Sequence, residues 1–389
     1  HEIGHTLGFT HNFTSSAKNR TSVMDYPHPN IEMQGDQISI ANAYEVGIGD
    51  WDKVTVAYAY SDFPEGTDEK EALNAVIDQS AAAGHRFISD SDARPIGGAH
   101  PKAHLWDNGV VATDELARLM KIRKQALGQL SLDHLREGEP YSTLEDRFVP
   151  MYLLHRYQVE AVVKLIGGVD YDYAVKGSQN YQVQVVDATT QRNALLGYLN
   201  ALAPDALAIP ETLRPLLPPR SFSNPRTREN FLSQTGVAFD YLGIAHSLSD
   251  ALIGMLLHPD RANRLVTQYG FDTNQLSLKE MLDTLVDSHF KVKPRDPHQA
   301  QLNDVVKSTI LKHLMYLGQQ PDANPIVKAL VVKQLVALDR WLAGQEEEGF
   351  SEVYRMQIDR YFEAPADFQP PTPKRLPDGS PIGSYSCDF

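Results

Sequence analysis

The chain opens with His1-Glu2-Ile3-Gly4-His5-Thr6-Leu7-Gly8-Phe9-Thr10-His11. On a helix, His1 and His5 leave the same face one turn apart. Two neutral imidazoles so placed hold two corners of a tetrahedral Zn2+ site. Glu2 lies next to the pair but is turned around the helix. From there its carboxylate reaches a water in the open coordination position without ligating the metal, which is the placement of a general base in metal-assisted hydrolysis. His11 becomes a third donor if the chain doubles back. Three protein donors and one open corner mark a catalytic rather than a structural zinc.

Those residues need two supporting elements. The first is a helix over the His1–His5 turn that stops at Gly8, because glycine enters the left-handed backbone state that other residues avoid. The second is the Met-centred bend Ser22-Val23-Met24-Asp25-Tyr26-Pro27. The long histidine motif followed by such a bend is the metzincin pattern. On these residues the chain resembles the metzincin-clan zinc metallopeptidases. The wider wording, through His11-Asn12-Phe13 and then Ser22 to Pro27, is most similar to the bacterial Met-zincin family. The likeness is sharp over residues 1–60. It is looser at Phe87-Ile88-Ser89-Asp90 and at 331–342.

The resemblance implies a zinc endopeptidase acting on protein or peptide substrates. Zn2+ would be held by His1, His5 and His11, with Glu2 as base and Met24 as an apolar floor that does not ligate. In some metzincins a tyrosine at the offset of Tyr26 approaches the zinc and stabilises the oxyanion; an ordinary packed tyrosine is the equal alternative. Residues 27–30 would line the pocket beside the scissile bond, with His28 outside the ligand set. The family also places the zinc domain after a separate N-terminal region, which becomes an expected partner. It implies an extracytoplasmic location: periplasmic, outer-membrane-associated or secreted. Two other readings stay open. One is a zinc hydrolase of a non-peptide bond. The other is a non-catalytic binding or scaffold protein, against which Glu2 weighs, since a structural metal has no use for a base.

At 389 residues the chain is too long for one ordinary core. Its net charge of −14 argues against a nucleic-acid partner, because phosphates need a basic surface. Cys387 is the only cysteine, so an internal disulfide and a thiolate zinc site are both excluded. No run of about 20 apolar residues exists to span a membrane. The chain starts at the first zinc donor with no initiator Met. The strands a metzincin sets upstream, including the edge strand that pairs with an extended substrate, are therefore expected outside it. Activity is expected of the parent chain rather than of this piece alone.

The fold class expected is mainly α: the C-terminal part of a metzincin catalytic domain joined to a large helical region with few short strands. Boundaries are placed at 1–63 for the zinc-binding subdomain, 64–110 for an irregular region over the cleft, 111–364 for the helical domain and 365–389 for an extended Pro/Gly-rich tail. Residues 51–60 fit both a strand alternation and a helix stripe; the resemblance favours the helix. A helix is expected over 68–83. The histidines and aspartates that follow (His85, Asp90, Asp92, His100, His104) match no ligand spacing, so a second metal site there is set aside.

A cap at Thr113-Asp114-Glu115 opens an apolar stripe through Leu130. Ser142-Thr143-Leu144-Glu145 reads as a capping box whose helix is kinked by Pro150 and stopped by Gly167-Gly168. A strand is expected at 182–186 and a proline-rich connector at 204–225. Further helices are expected at 190–202, 226–233, 242–257, 260–268, 278–287, 299–317 and 325–342. Glu346 to Glu348 reads as a solvated helix end. Asn12 and Asn19 begin glycosylation sequons that carry no meaning in a bacterial protein, and Asn12 is expected to bond backbone or orient an imidazole.

Overall fold

The computed structural model describes residues 1–18, 20–178, 183–345, 349–372 and 376–377. Asn19, Gln182, residues 346–348, Cys387 and most of the expected tail lie outside them. The described residues are mainly helical, with two small two-stranded sheets. No described helix is long and apolar enough to cross a membrane.

The chain divides into two compact units. The first comprises residues 1–122 and 155–186, the second residues 123–154 and 187–389. The first unit thus takes in both the 1–63 and 64–110 segments and adds a later piece of chain.

In the first unit, helix α1 (Glu2–Thr6) is followed by the hairpin strands β1 (Glu32–Gln34) and β2 (Gln37–Ser39). Then come α2 (Asp50–Tyr60), α3 (Glu69–Ala82) and the single turn α4 (Asp90–Ala93). Residues 51–60 are therefore helical. Asp68 caps α3, accepting a hydrogen bond from the Glu71 amide at 3.1 Å. The start of α5 (Ala112–Gln129), helix α7 (Arg156–Leu165) and the antiparallel strands β3 (Val169–Tyr171) and β4 (Val183–Val185) complete the unit. Its core gathers Phe13, Tyr26, Ile88, Ala93, Ala103 and Trp106, with Tyr157 and Tyr171 packed against them. The segments that follow the histidine motif thus share one core with residues between 88 and 106.

The second unit contains the end of α5, α6 (Leu144–Tyr152), α8 (Ala188–Asn200), the short α9 (Pro204–Leu207), and α10 (Tyr241–Leu256) through α11 (Pro259–Phe271), α12 (Leu278–Phe290), α13 (Pro297–Gln319), α14 (Pro325–Leu342) and α15 (Ser351–Glu363). Leu248, Leu252, Leu282, Leu285, Ile310, Leu314, Val331 and Leu335 are fully buried among them. Asp187, Asp240, Ser277, Asp296 and Asn324 cap their helices by accepting an amide hydrogen bond in the first turn, each contributing about 1 kcal/mol.

Several expectations are corrected. The capping box at 142–145 does not form: Thr143 is the N-cap without a side-chain cap bond, and Glu145 instead accepts from Arg220 at 3.1 Å and Arg226 at 3.1 Å. Pro150 does not kink one long helix; α6 ends two residues later and α7 starts afresh at Arg156. Residues 226–233 are not helical. Asn230 folds back to accept the Thr227 amide at 2.8 Å and donates to Asp146 at 2.9 Å, a local side-chain contact that competes with helix. Within the 204–225 connector Leu207, Leu213 and Leu217 are buried. The β1–β2 hairpin, β3 and α15 were not foreseen.

Candidate metal centre

Helix α1 ends in a paired turn: the Gly8 amide donates to His5 O at 2.9 Å and the Phe9 amide to Gly4 O at 3.0 Å. That pattern requires a left-handed residue, and Gly8 supplies it with φ +86°. The chain reverses there and returns His11 to the face that carries His1 and His5.

The three rings converge. Nε2 of His5 lies 3.2 Å from Nε2 of His1 and 3.1 Å from Nε2 of His11. The other ring nitrogens are all engaged. Nδ1 of His1 donates to Val23 O at 2.7 Å, Nδ1 of His5 to Phe9 O at 3.0 Å, and Nδ1 of His11 to the Asp90 carboxylate at 2.8 Å. Acceptors of this kind hold the proton on Nδ1 and leave each Nε2 as a bare lone pair. Three lone pairs facing one another repel unless a cation lies between them. Tetrahedral ligands at zinc–nitrogen distances of about 2.0–2.1 Å stand about 3.3 Å apart, so the donor set fits Zn2+ at three corners. Among the described residues this is the only group of three or more His, Cys, Asp or Glu side chains gathered so closely. The set at His85, Asp90, Asp92, His100 and His104 does not assemble.

His11 is buried, and desolvation holds its pKa below the ordinary histidine value despite the opposing pull of Asp90. Burial pushes the Asp90 carboxyl up, but its bonds to Arg94 and His11 more than offset this and leave it below the usual range. Both shifts favour neutral imidazole beside ionised carboxylate. Glu2 is exposed on α1, and its carboxylate makes no hydrogen bond or ion pair among the described residues. His28 is buried, with Nδ1 on Pro29 O at 3.0 Å, and stands outside the triad.

The Met bend passes under the helix. Met24 is 1 % exposed, and an ideal Cβ built on Gly4 would lie 2.2 Å from its Sδ. The bend is fixed from α2: buried Asp52 accepts from Ser22 Oγ at 2.6 Å, the Val23 amide at 3.0 Å and the Gly49 amide at 2.6 Å. At Gly49 an added Cβ would meet Thr21 O at 1.9 Å, so glycine is needed for close approach. The Tyr26 ring packs on His1 (4.4 Å between centroids), His11 (4.9 Å) and Trp106 (4.9 Å). Trp106 holds a left-handed backbone, φ 59°, and donates its amide to Tyr26 O at 2.7 Å. Such a conformation costs roughly 1–2 kcal/mol for a residue with a Cβ; here indole burial offsets it.

Behind the bend lie two buried carboxyls. Asp25 accepts from the Ser16 and Tyr26 amides, each at 2.7 Å. Burial, reinforced by the charge of Asp107, raises its pKa well above the carboxylate range. Burial likewise pushes Asp107 up to about 7.

Asn12 bonds the backbone, as expected: Nδ2 donates to Arg86 O at 2.8 Å and Oδ1 accepts from the Ile88 amide at 3.3 Å. Sequence reasoning missed Asp90, Gly4, Asp52 and Trp106 as supports of the centre. Asp90 stood in a segment noted for family likeness, but nothing in its spacing pointed to His11. A cavity of about 750 Å3 is lined by Phe9, Trp51, Tyr58, Phe87 and Tyr173 among others. None of the triad histidines lines it, so it is not assigned to the chemistry.

No curated protein and no solved structure matches the chain. The family model described as Met-zincin matches residues 1–296. That family implies zinc binding and a metallopeptidase-like function. With the histidine triad, the reversal at Gly8 and the methionine beneath it in place, the chain belongs to the Met-zincin family.

Proposed function

We propose that this chain carries the zinc centre of an endopeptidase, with His1, His5 and His11 as ligands. The observation that carries the reading is the convergence of three Nε2 atoms whose Nδ1 partners are already committed. When bound, Zn2+ supplies Lewis acidity toward a water and a peptide carbonyl.

The remaining work falls to side chains of this chain. Glu2, adjacent to a ligand yet exposed and unengaged, accepts the proton from the attacking water. It then delivers that proton to the leaving amine. Tyr26, packed on two of the three imidazoles, places its hydroxyl to stabilise the negative charge that develops on the carbonyl oxygen. Met24 and Gly4 keep the floor apolar and dry. An extended polypeptide is the substrate class, an N-terminal region of the parent is the expected partner, and the setting is extracytoplasmic. The last two rest on the family resemblance alone.

The test is cleavage of an unstructured protein such as casein by the protein, with and without chelator. Glu2→Gln is expected to keep one zinc per chain and to lose at least about 10²-fold in turnover. Full-rate cleavage by that variant, or cleavage indifferent to chelator, removes the assignment.

A further inference from the structure

The three imidazoles are not equivalently supported. His1 and His5 donate to neutral main-chain carbonyls, whereas His11 donates to a carboxylate, reaching Asp90 Oδ2 at 2.8 Å and Oδ1 at 3.0 Å. Asp90 lies 79 residues downstream of His11. It is delivered there by a strap over residues 86–94. One side of the strap is stitched to the histidine segment, through the Phe13 amide on Ile88 O at 2.9 Å and Asn12 Nδ2 on Arg86 O at 2.8 Å. The other side is tied to the β3 region: Arg86 pairs with Asp170 at 2.6 Å and Asp172 at 2.7 Å, and Asp92 accepts from the hydroxyls of Tyr171 and Tyr173.

Within the strap the carboxylate is held on both oxygens. Arg94 Nε donates to Oδ1, and Ser89 Oγ donates to Oδ2 at 3.2 Å. The Arg94 guanidinium in turn sits over the rings of Phe13 (5.8 Å) and Tyr26 (6.0 Å). Held in this way, the carboxylate keeps Oδ2 turned toward the Nδ1–H of His11.

We infer that Asp90 is a positioning residue for the metal centre, whose negative charge, delivered through His11, raises that ring's donor strength and sets the zinc affinity of the whole triad. This rests on the zinc reading above and goes beyond it: neither the motif nor the family match assigns a residue behind any ligand. Anionic partners of ligating histidines both fix the tautomer and increase basicity, and their loss typically weakens metal binding 10- to 100-fold.

Two variants separate charge from shape. Asp90→Asn keeps an oxygen that can accept the Nδ1–H but removes the charge; Asp90→Ala removes both. Zn2+ affinity of the full chain is measured by competition with a chromogenic chelator, and the thermal midpoint of the metal-free chain is measured alongside. The expected result is affinity weakened about 10- to 100-fold in Asp90→Asn and at least as much in Asp90→Ala, with metal-free midpoints close to wild type. Wild-type affinity in Asp90→Asn overturns the inference. So does a fall in the metal-free midpoint with affinity unchanged, which makes the residue merely structural. A wild-type chain that takes up no Zn2+ overturns the zinc reading itself, and this inference with it. Proteolysis need not be assayed, so failure of the peptidase reading alone leaves the affinity result standing.

Discussion

The sulfur of Met24 occupies the space that a side chain on Gly4 would need, 2.2 Å from an ideal Cβ. Glycine at position 4 of the histidine motif is therefore set by contact, not by backbone conformation. Gly4→Ala gains about 1 kcal/mol of helix propensity. That gain loses to the clash with a buried side chain, for which overpacking costs typically 1–3 kcal/mol. Urea unfolding should show net destabilisation, with weaker zinc uptake as the bend shifts. In a double-mutant cycle with Met24→Ala the two losses should be less than additive, as they are for coupled neighbours. Additive effects would place the clash elsewhere.

Asp52 anchors the bend from the other side, accepting two amides and one hydroxyl. Asp52→Ala leaves one buried and two half-buried donors without their acceptor, and the expected loss is about 2–4 kcal/mol. Asp52→Asn retains one acceptor oxygen and should cost less. Val23 O orients His1, so the alanine variant should also bind zinc more weakly. Equal unfolding midpoints for all three proteins would show that the bend holds without α2.

Asp107 gives a pH signature. Its pKa rises from 3.8 to about 7 on folding, because burial removes the water that would solvate the charge. Between those values the native state holds the extra proton, so this carboxyl makes stability fall as pH rises from about 4 through 7. Asp107→Asn should therefore gain on wild type across that window, by as much as ~4 kcal/mol between pH 4 and pH 8. Denaturation curves at four or five pH values check this. A pH-independent difference between the two proteins would mean that Asp107 stays ionised.

Metal should behave as a ligand of the native state. At a free concentration of 100 times its dissociation constant, Zn2+ should add ~2.7 kcal/mol to unfolding. The increment should disappear with chelator and with His5→Ala. An increment that survives His5→Ala would locate the ion at another site.

The triad was legible because all its donors fall within one short segment, where helical spacing and a single glycine define the geometry. Helices α8 and α10 to α14 were legible because their apolar stripes and their Asp, Ser, Asn or, at α11, His caps are local too. What stayed hidden depends on chain segments far apart. Asp90 and Asp52 act on residues 79 and 29 positions away, and no window of sequence contains both partners. The helix expected at 226–233 failed for the same reason. Asn230 is drawn to Asp146, 84 residues earlier, and that contact outweighs local propensity. Pro150 was seen, but a single proline does not tell whether a helix bends or ends.

The imidazoles of His1 and His5 are oriented by main-chain oxygens at positions 23 and 9. Every residue type carries that oxygen, so substitution at either position cannot delete the contact chemically. Only the third ring has a side chain as its direct hydrogen-bond acceptor. Sequence drift in such a protein can thus remove the direct partner of one imidazole while those of the other two persist, and if the triad holds the metal, variation in metal retention among natural variants should include changes at position 90.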